Sequence, residues 1–520
     1  MPVLSEAKES GGEGQGVRME TRFRPEGWGI CGEKRGGGQG GWGVTIPPVE
    51  KFTYQQALDY LYSFIDYSQQ RTYPYSAHTF DLGRMHAFLS LLGDPHKQYA
   101  VLHVAGTKGK GSVSAMLDSA LRASGLRSGF YLSPHLIDFC ERIRLDGTPI
   151  AHDRLAGLVE SLRGKVEEVP GLTTFEITTA AAFQYFREEG AEVVVAEVGL
   201  GGRLDATNVV TPAISVITSL SYDHTHLLGD TLAKITREKA GIIKPGIPVV
   251  SSPQEGEAMQ VLRAICAERN APLTLVGRDW HFAPDQRSLD GQSFFLWPAE
   301  RQAEIDAALG KGKDLQSIAA RYEIPLLGYH QIINAATAVA ALSTARASLP
   351  PISEQAIRKG LSTVRWEGRF QLLHRSPVVV VDSAHNVDSA RRLRIALDDY
   401  FPMRRVVLIF GASDDKDIAG MLDGLLPRVS RLIATRSTHP RAADPEKIAA
   451  LARERGCPSE ISPDPRPALE RGLDLVGPKD VLLAAGSLFV AGAVLEEWPA
   501  IQEKRMESAA DAAGGVKVQG

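Results

Sequence analysis

Val101-Leu102-His103-Val104-Ala105-Gly106-Thr107-Lys108-Gly109-Lys110-Gly111-Ser112 decides how the chain is read. A short apolar run meets a glycine-rich loop carrying two lysines. A helical period follows over 112–123, with Val113, Met116, Leu117 and Leu121 recurring on one side. Strand, glycine loop and helix in that order make a phosphate cradle. Glycines let backbone N–H groups face phosphate oxygens, the helix N-terminus adds positive potential, and Lys110 supplies a full charge. The spacing departs from the Walker pattern: two residues rather than four separate Gly106 from Gly109-Lys110, and Ser112 lies two past the lysine instead of one. A tight turn with solvated lysines is the bland alternative, and the flanking strand and helix favour phosphate binding over it.

Outward from this loop, the chain alternates. Phe175–Glu189 reads as a helix and Val193-Val194-Val195 as a buried strand; Ala213–Ile217 and Pro248–Val250 read as further strands, with a helix over Leu232–Ala240 between them. Asp279–Arg301 suits hairpins, and Gln331–Ala347 an alanine-rich helix. Continuous β-branched runs separated by helices predict a mostly parallel sheet covered on both faces. A second alternating set opens near Pro377, with strands at Val378–Val381, Val406–Phe410, Leu432–Ala434 and Val481–Ala484 and a helix at Asp388–Leu397. The expected fold is α/β, with a P-loop-type, mostly parallel sheet domain over 51–365 and a smaller Rossmann-like α/β C-terminal domain over 366–505. The join falls near Trp366-Glu367-Gly368-Arg369. Residues 506–520 read as a flexible tail. Glycine fills 13 of the first 43 positions and no apolar period appears there, so residues 1–50 read as a disordered extension.

Composition narrows the partners. The chain has 520 residues, 43% hydrophobic and 23% charged, which is ordinary for a soluble globular protein and long enough for a core without disulfides. Its net charge of −4, from 58 basic and 62 acidic residues, offers no global field for nucleic acid or an anionic membrane. An anionic ligand must be met by local charge. The four cysteines are scattered without paired spacing, which points to the cytosol. The most apolar stretch, Val481–Leu495, is too short for a membrane span and is broken by Gly486, Ser487 and Gly492, so it reads as a strand turning into a helix. The N-terminus lacks the apolar region of a signal peptide. The expected location is the cytoplasm.

Three further stretches carry chemistry. Glu197, before Gly199-Leu200-Gly201-Gly202-Arg203-Leu204-Asp205, ends a strand where α/β ligands bind. It either meets a magnesium ion or its water, or it pairs with Arg203; residue types alone leave both open. Ser221-Tyr222-Asp223-His224-Thr225-His226 follows the strand ending near Thr218, and two histidines with an aspartate opposite a phosphate loop suit a ligand site. No third ligand at zinc-hydrolase spacing accompanies them. Asp382, in Asp382-Ser383-Ala384-His385-Asn386, pairs with Arg369, bonds a ribose hydroxyl, or caps the next helix.

Together these stretches resemble the folylpolyglutamate synthase and dihydrofolate synthase family, itself similar to the Mur ligases. The resemblance runs from about Tyr54 to Leu495. It also rests on Asp81-Leu82-Gly83, Tyr131-Leu132-Ser133-Pro134-His135, Glu141-Arg142-Ile143-Arg144, Phe175-Glu176, Glu238–Lys244, His330-Gln331, Asn334-Ala335-Ala336 and Trp366–Phe370.

The resemblance implies an ATPase-type first domain and an ATP-dependent ligase. A folate or pteroate carboxylate is phosphorylated, and the amine of L-glutamate displaces phosphate from the acyl phosphate. ATP is then a substrate and Mg2+ the cofactor, with K+ beside it; the partners are small molecules, with no nucleic acid or membrane, and the chain is a monomer. By the same matching, Gly106, Thr107, Lys108, Gly109, Lys110, Gly111 and Ser112 hold the ATP phosphates, and Asn334, Arg369 and Asp382 touch the nucleotide. Ser133, Glu197 and His224 match magnesium-site residues, while Asp81, Leu82 and Thr173 fall where relatives meet the pterin. Lys239 matches a lysine carbamylated in relatives, and joins Lys110, Glu197 and His224 as a catalytic candidate. Lys108 departs from the family's usual asparagine, adding a charge beside the phosphates; Ser383 and Val387 replace a usual glycine and proline. Two alternatives stand beside this reading: a Mur-type amino-acid ligase of peptidoglycan synthesis, and a non-catalytic nucleotide switch.

Overall fold

Eight apolar runs build the larger sheet of the computed structural model, which describes residues 52–66 and 80–514, with side chains to 507. They are β1 (Ala100–Ala105), β2 (Ser128–Tyr131), β3 (Ile143–Leu145), β4 (Thr148–Pro149), β5 (Val193–Glu197), β6 (Ile214–Ile217), β7 (Val249–Ser251) and β8 (Leu273–Leu275). Their order is β4-β3-β2-β5-β1-β6-β7-β8, and only the β3 and β4 pairings are antiparallel. Every residue of β5 and β6 is buried, as a sheet covered on both faces requires. The glycine-rich head lies outside the described residues.

β9 (Trp280–Ser288) and β10 (Gly291–Pro298) form the expected hairpin, and β11 (Ala320–Ile324) adds a third antiparallel strand. The second large sheet holds β12 (Gln371–Arg375), β13 (Val378–Val381), β14 (Val406–Phe410), β15 (Val429–Ala434), β16 (Ser459–Ile461) and β17 (Val481–Ala485). Its order is β12-β13-β17-β14-β15-β16, parallel except for β12. Val481–Leu495 is a buried strand followed by a helix that begins at Leu488. That helix runs to Gly514, into the stretch read as a tail. No helix among the described residues is long and apolar enough to cross a membrane.

The helix after the phosphate loop packs Val113, Met116, Leu117 and Leu121 into one core with residues of helices Tyr329–Thr344 and Glu354–Thr363. It starts at Lys110, two residues before the sequence period suggests. The cause is Gly109, whose φ of +85° ends the loop in a conformation that β-carbon-bearing residues avoid. A β-carbon there would lie 2.3 Å from Asn334 Oδ1, so the loop and the Tyr329–Thr344 helix touch directly.

Candidate active site

The carboxyl ends of β1, β5 and β6 open on a cleft of about 1010 Å³, walled on the far side by loops of the second sheet. Thr107 to Ser112, Leu82, Ser133, Thr173, Glu197, His224, Lys239, Asn334, Arg369 and Asp382 all line it. Topology explains the convergence, because parallel strands deliver their following loops to one rim.

The loop divides its work. The N–H groups of Thr107 and Lys108 both donate to Ser219 O at 3.0 Å, and the Thr107 hydroxyl donates to Ser221 O at 3.1 Å. Gly106 is packed against Thr218, where a β-carbon would fall 1.9 Å from the hydroxyl, and does not line the cleft. Residues 106–108 therefore anchor the loop to the segment after β6. Lys110, Gly111 and Ser112 begin the helix, so their N–H groups lack intrahelical acceptors and suit an anion.

Lys108 lines the cleft with a protein partner of its own. Its ammonium lies 2.9 Å from Asp223 Oδ2, so its charge is matched by a buried carboxylate. Asp223 also accepts from Asn386 Nδ2 at 2.8 Å and faces Lys416 at 3.6 Å. Although burial works the other way, the charges of Lys108 and Lys416 hold its carboxyl well below the usual range.

Glu197 ends β5 with Lys110 Nζ 4.0 Å away. Burial raises its carboxyl to about 7, against the pull of Lys110, Arg369 and a backbone hydrogen bond from Ser133. The alternative pairing with Arg203 fails: Arg203 bonds Glu238, with Nη2 to Oε1 at 2.9 Å. His224 is held neutral by burial, down to about 3, which leaves an imidazole lone pair for a cation. Lys239, 4% exposed at the end of helix Leu232–Lys239, is drawn down to about 7 by burial and by the Lys110 charge.

Asp382 is not a helix cap; Asn386 fills that role for Val387–Tyr400. Its two oxygens accept the N–H groups of Phe370 and Ala384 at 2.7 Å, and the Arg369 charge partly offsets the burial that raises its carboxyl. Thr173 caps helix Thr174–Glu188 while still lining the cleft. Asp81 is exposed and caps helix Leu82–Leu91, accepting from Gly83 N at 2.8 Å outside the cleft lining. Asp138, Cys140 and His152 also cluster, but Asp138 already accepts from Cys140 N, Tyr54 Oη and His152 Nε2.

Of the far wall, sequence reasoning found Arg369 and Asp382 and missed the rest. Lys416, His439, Arg441 and Ser487 line the cleft from the second sheet, with Asp415 bridging Lys416 at 3.3 Å and Arg441 at 3.5 Å. Asp415-Lys416 follows β14 and Ser487 follows β17, so position after a parallel strand was the available signal.

A phosphate loop facing a cation-bearing second sheet across one cleft is the layout of a Mur-type, ATP-dependent ligase. The Mur ligase middle domain matches residues 104–342, and the Mur ligase glutamate ligase domain matches 368–488. The chain is 35% identical over 423 residues to a dihydrofolate synthase/folylpolyglutamate synthase of Bacillus subtilis, covering 78% of this chain and 92% of the relative. A probable bifunctional folylpolyglutamate synthase/dihydropteroate synthase of Haloferax volcanii is 37% identical over 415 residues; these are 79% of this chain and about half, 47%, of that longer protein. A solved folylpolyglutamate synthase of Mycobacterium tuberculosis complexed with ADP superposes with a TM-score of 0.74 at 30% identity, covering 85% of this chain and 97% of that one. The chain belongs to the folylpolyglutamate synthase and dihydrofolate synthase family.

Proposed function

We propose that the chain joins L-glutamate to folates, and to dihydropteroate, through an acyl phosphate made with ATP. The observation that carries this reading is the single cleft holding Lys110 and Glu197 on one wall and Lys416 and Arg441 on the other. The folate carboxylate oxygen attacks the γ-phosphorus and ADP leaves. The glutamate amine then attacks the acyl carbon, phosphate leaves, and one proton is released.

Each step brings anions together, which needs fixed cations in a site shielded from water. Lys110 and the first-turn N–H groups meet the phosphates, while Lys416 and Arg441 offer charge to the carboxylates of the incoming amino acid. We assign Asn334, Arg369 and Asp382 to the nucleotide, and Leu82 and Thr173 to the pterin.

The oxygen donors fit Mg2+: Glu197 is a carboxylate whose buried charge a cation would restore, and Ser133 adds a hydroxyl, while His224 is a neutral imidazole and the softer member of the set. Ser133, Glu197 and His224 would hold the ion, which when bound neutralises phosphate charge. Lys239, buried and with its amine near neutrality, suits carbamylation, in which the amine adds CO2 and releases a proton. We take the protein to be a cytoplasmic monomer with its first domain over 51–365 and its second over 366–505. The buried free thiols of Cys140, Cys266 and Cys457 support a reducing compartment.

The test is phosphate release from ATP with Mg2+ and L-glutamate, with dihydropteroate and tetrahydrofolate as separate acceptors. Release with both is expected. Release with neither, despite ADP binding, overturns the reading.

A further inference from the structure

One carboxylate touches both walls of the cleft. Asp223 follows β6 of the larger sheet, and its side chain is 9% exposed. Oδ2 accepts from Lys108 Nζ at 2.9 Å and from Asn386 Nδ2 at 2.8 Å. Oδ1 accepts from the backbone N–H of His224 at 3.0 Å and faces Lys416 Nζ at 3.6 Å. His385 Nε2 lies 3.9 Å from Oδ2. Lys108 belongs to the phosphate loop, whereas Asn386, His385 and Lys416 all belong to the second sheet and its loops.

The charges are uneven. Lys416 has a second carboxylate in Asp415, but Asp223 is the only acidic partner of Lys108 within 4.0 Å among the described residues. Without Asp223, two largely buried lysines from opposite walls, 13% and 14% exposed, would lose the carboxylate they share. Like charges in a site of low dielectric repel strongly.

We propose that Asp223 is a positioning residue that latches the second sheet onto the phosphate loop, so that the amine from one wall reaches the carboxylate activated at the other. This rests on the ligase reading above. Closing the cleft lets one anion serve Lys108 and Lys416 together and adds the Asn386 hydrogen bond; opening it leaves Asp223 with Lys108 alone. Lys108 thus acts in closure rather than on the nucleotide.

Two variants test the latch by different routes. Asp223→Asn removes the anion. Asn386→Asp keeps a good helix cap but sets a second carboxylate against Asp223. Each is expected to lower kcat and raise KM for L-glutamate by at least about tenfold, because misplacement by an ångström is that costly. The ADP dissociation constant should stay unchanged or fall in Asp223→Asn, where Lys108 is released towards the nucleotide. Small-angle scattering of the nucleotide-free variants should show a larger radius of gyration than the wild type. Adding Lys108→Asn to Asp223→Asn should restore several-fold of the lost activity, since no unmatched lysine then remains on the loop.

The proposal is overturned if both variants keep wild-type KM, kcat and radius of gyration, or if Lys108→Asn restores nothing. Scattering reads closure without any chemistry. A wild type that fails to ligate would sink the ligase reading and still leave the latch open to the scattering test.

Discussion

Lys110 and Lys239 are both lysines in the same cleft, and their surroundings give them different chemistry. Lys110 sits beside Glu197 at 4.0 Å and heads the helix whose first N–H groups face a phosphate. Lys110→Ala should cut kcat by roughly two to three orders of magnitude, the scale for losing one preorganised partner of developing charge. Steady-state phosphate release checks it, and near-normal turnover would remove the loop from the chemistry. Lys239 is drawn down to about 7, so the neutral amine that adds CO2 is well populated near pH 7 and scarce by pH 5.5. Carbamylation should therefore rise with pH and with bicarbonate. Lys239→Ala is expected to abolish most activity, with partial rescue by acetate or another short carboxylate; full activity without rescue would exclude the role.

At the scale of elements, the phosphate loop depends on contacts that no local pattern shows. Gly109 combines a φ of +85° with an Asn334 oxygen where a β-carbon would sit. Gly109→Ala should cost about 1–2 kcal/mol of stability from the backbone alone. It should also push the loop off the Tyr329–Thr344 helix and weaken ADP binding by roughly tenfold, the loss of one N–H hydrogen bond to a charged phosphate. Thermal melting and calorimetry separate these two effects, and a variant matching the wild type in both would mean that the loop is held by something else. The strand–loop–helix order was legible in the sequence because apolar periods and glycines are local signals. The use of Thr107 and Lys108 as anchors was not, because their partners Ser219, Ser221 and Asp223 lie more than a hundred residues away.

Across the whole molecule, burial makes the protein sensitive to acid. His96 and His103 are 4% and 0% exposed, and burial pulls them from the ordinary 6.5 down to about 4 and about 3. Above pH 6.5 neither state binds a proton there, so stability is unaffected. Below it the unfolded chain takes up protons that the folded chain refuses, and stability falls as pH drops to about 4 for His96 and about 3 for His103. The slope is roughly 1.4 kcal/mol per pH unit for each group. Neither ring nitrogen of His96 has a hydrogen-bond partner among the described residues, and the ring lies against Phe183. His96→Leu should therefore raise the melting temperature at pH 5 and flatten its decline between pH 6.5 and 4. An unchanged slope would show that His96 is not enclosed as described.

Much of this protein was determined by its sequence alone. The alternation of β-branched runs with amphipathic helices set two parallel sheets, and the glycine loop after β1 marked the anion end of the first. Glu197 and His224 were legible because one ends a strand and the other follows one, and parallel strands gather such positions at one rim; Lys239, at the end of a helix, was legible only through the family resemblance. Only the tertiary structure decided who pairs with whom. Arg203 turned to Glu238 rather than Glu197, Asp382 became an acceptor for Phe370 and Ala384, and Lys108 was neutralised by Asp223. Charge pairing depends on distance through space and on burial, and a linear pattern encodes neither for residues brought together from opposite walls of a cleft.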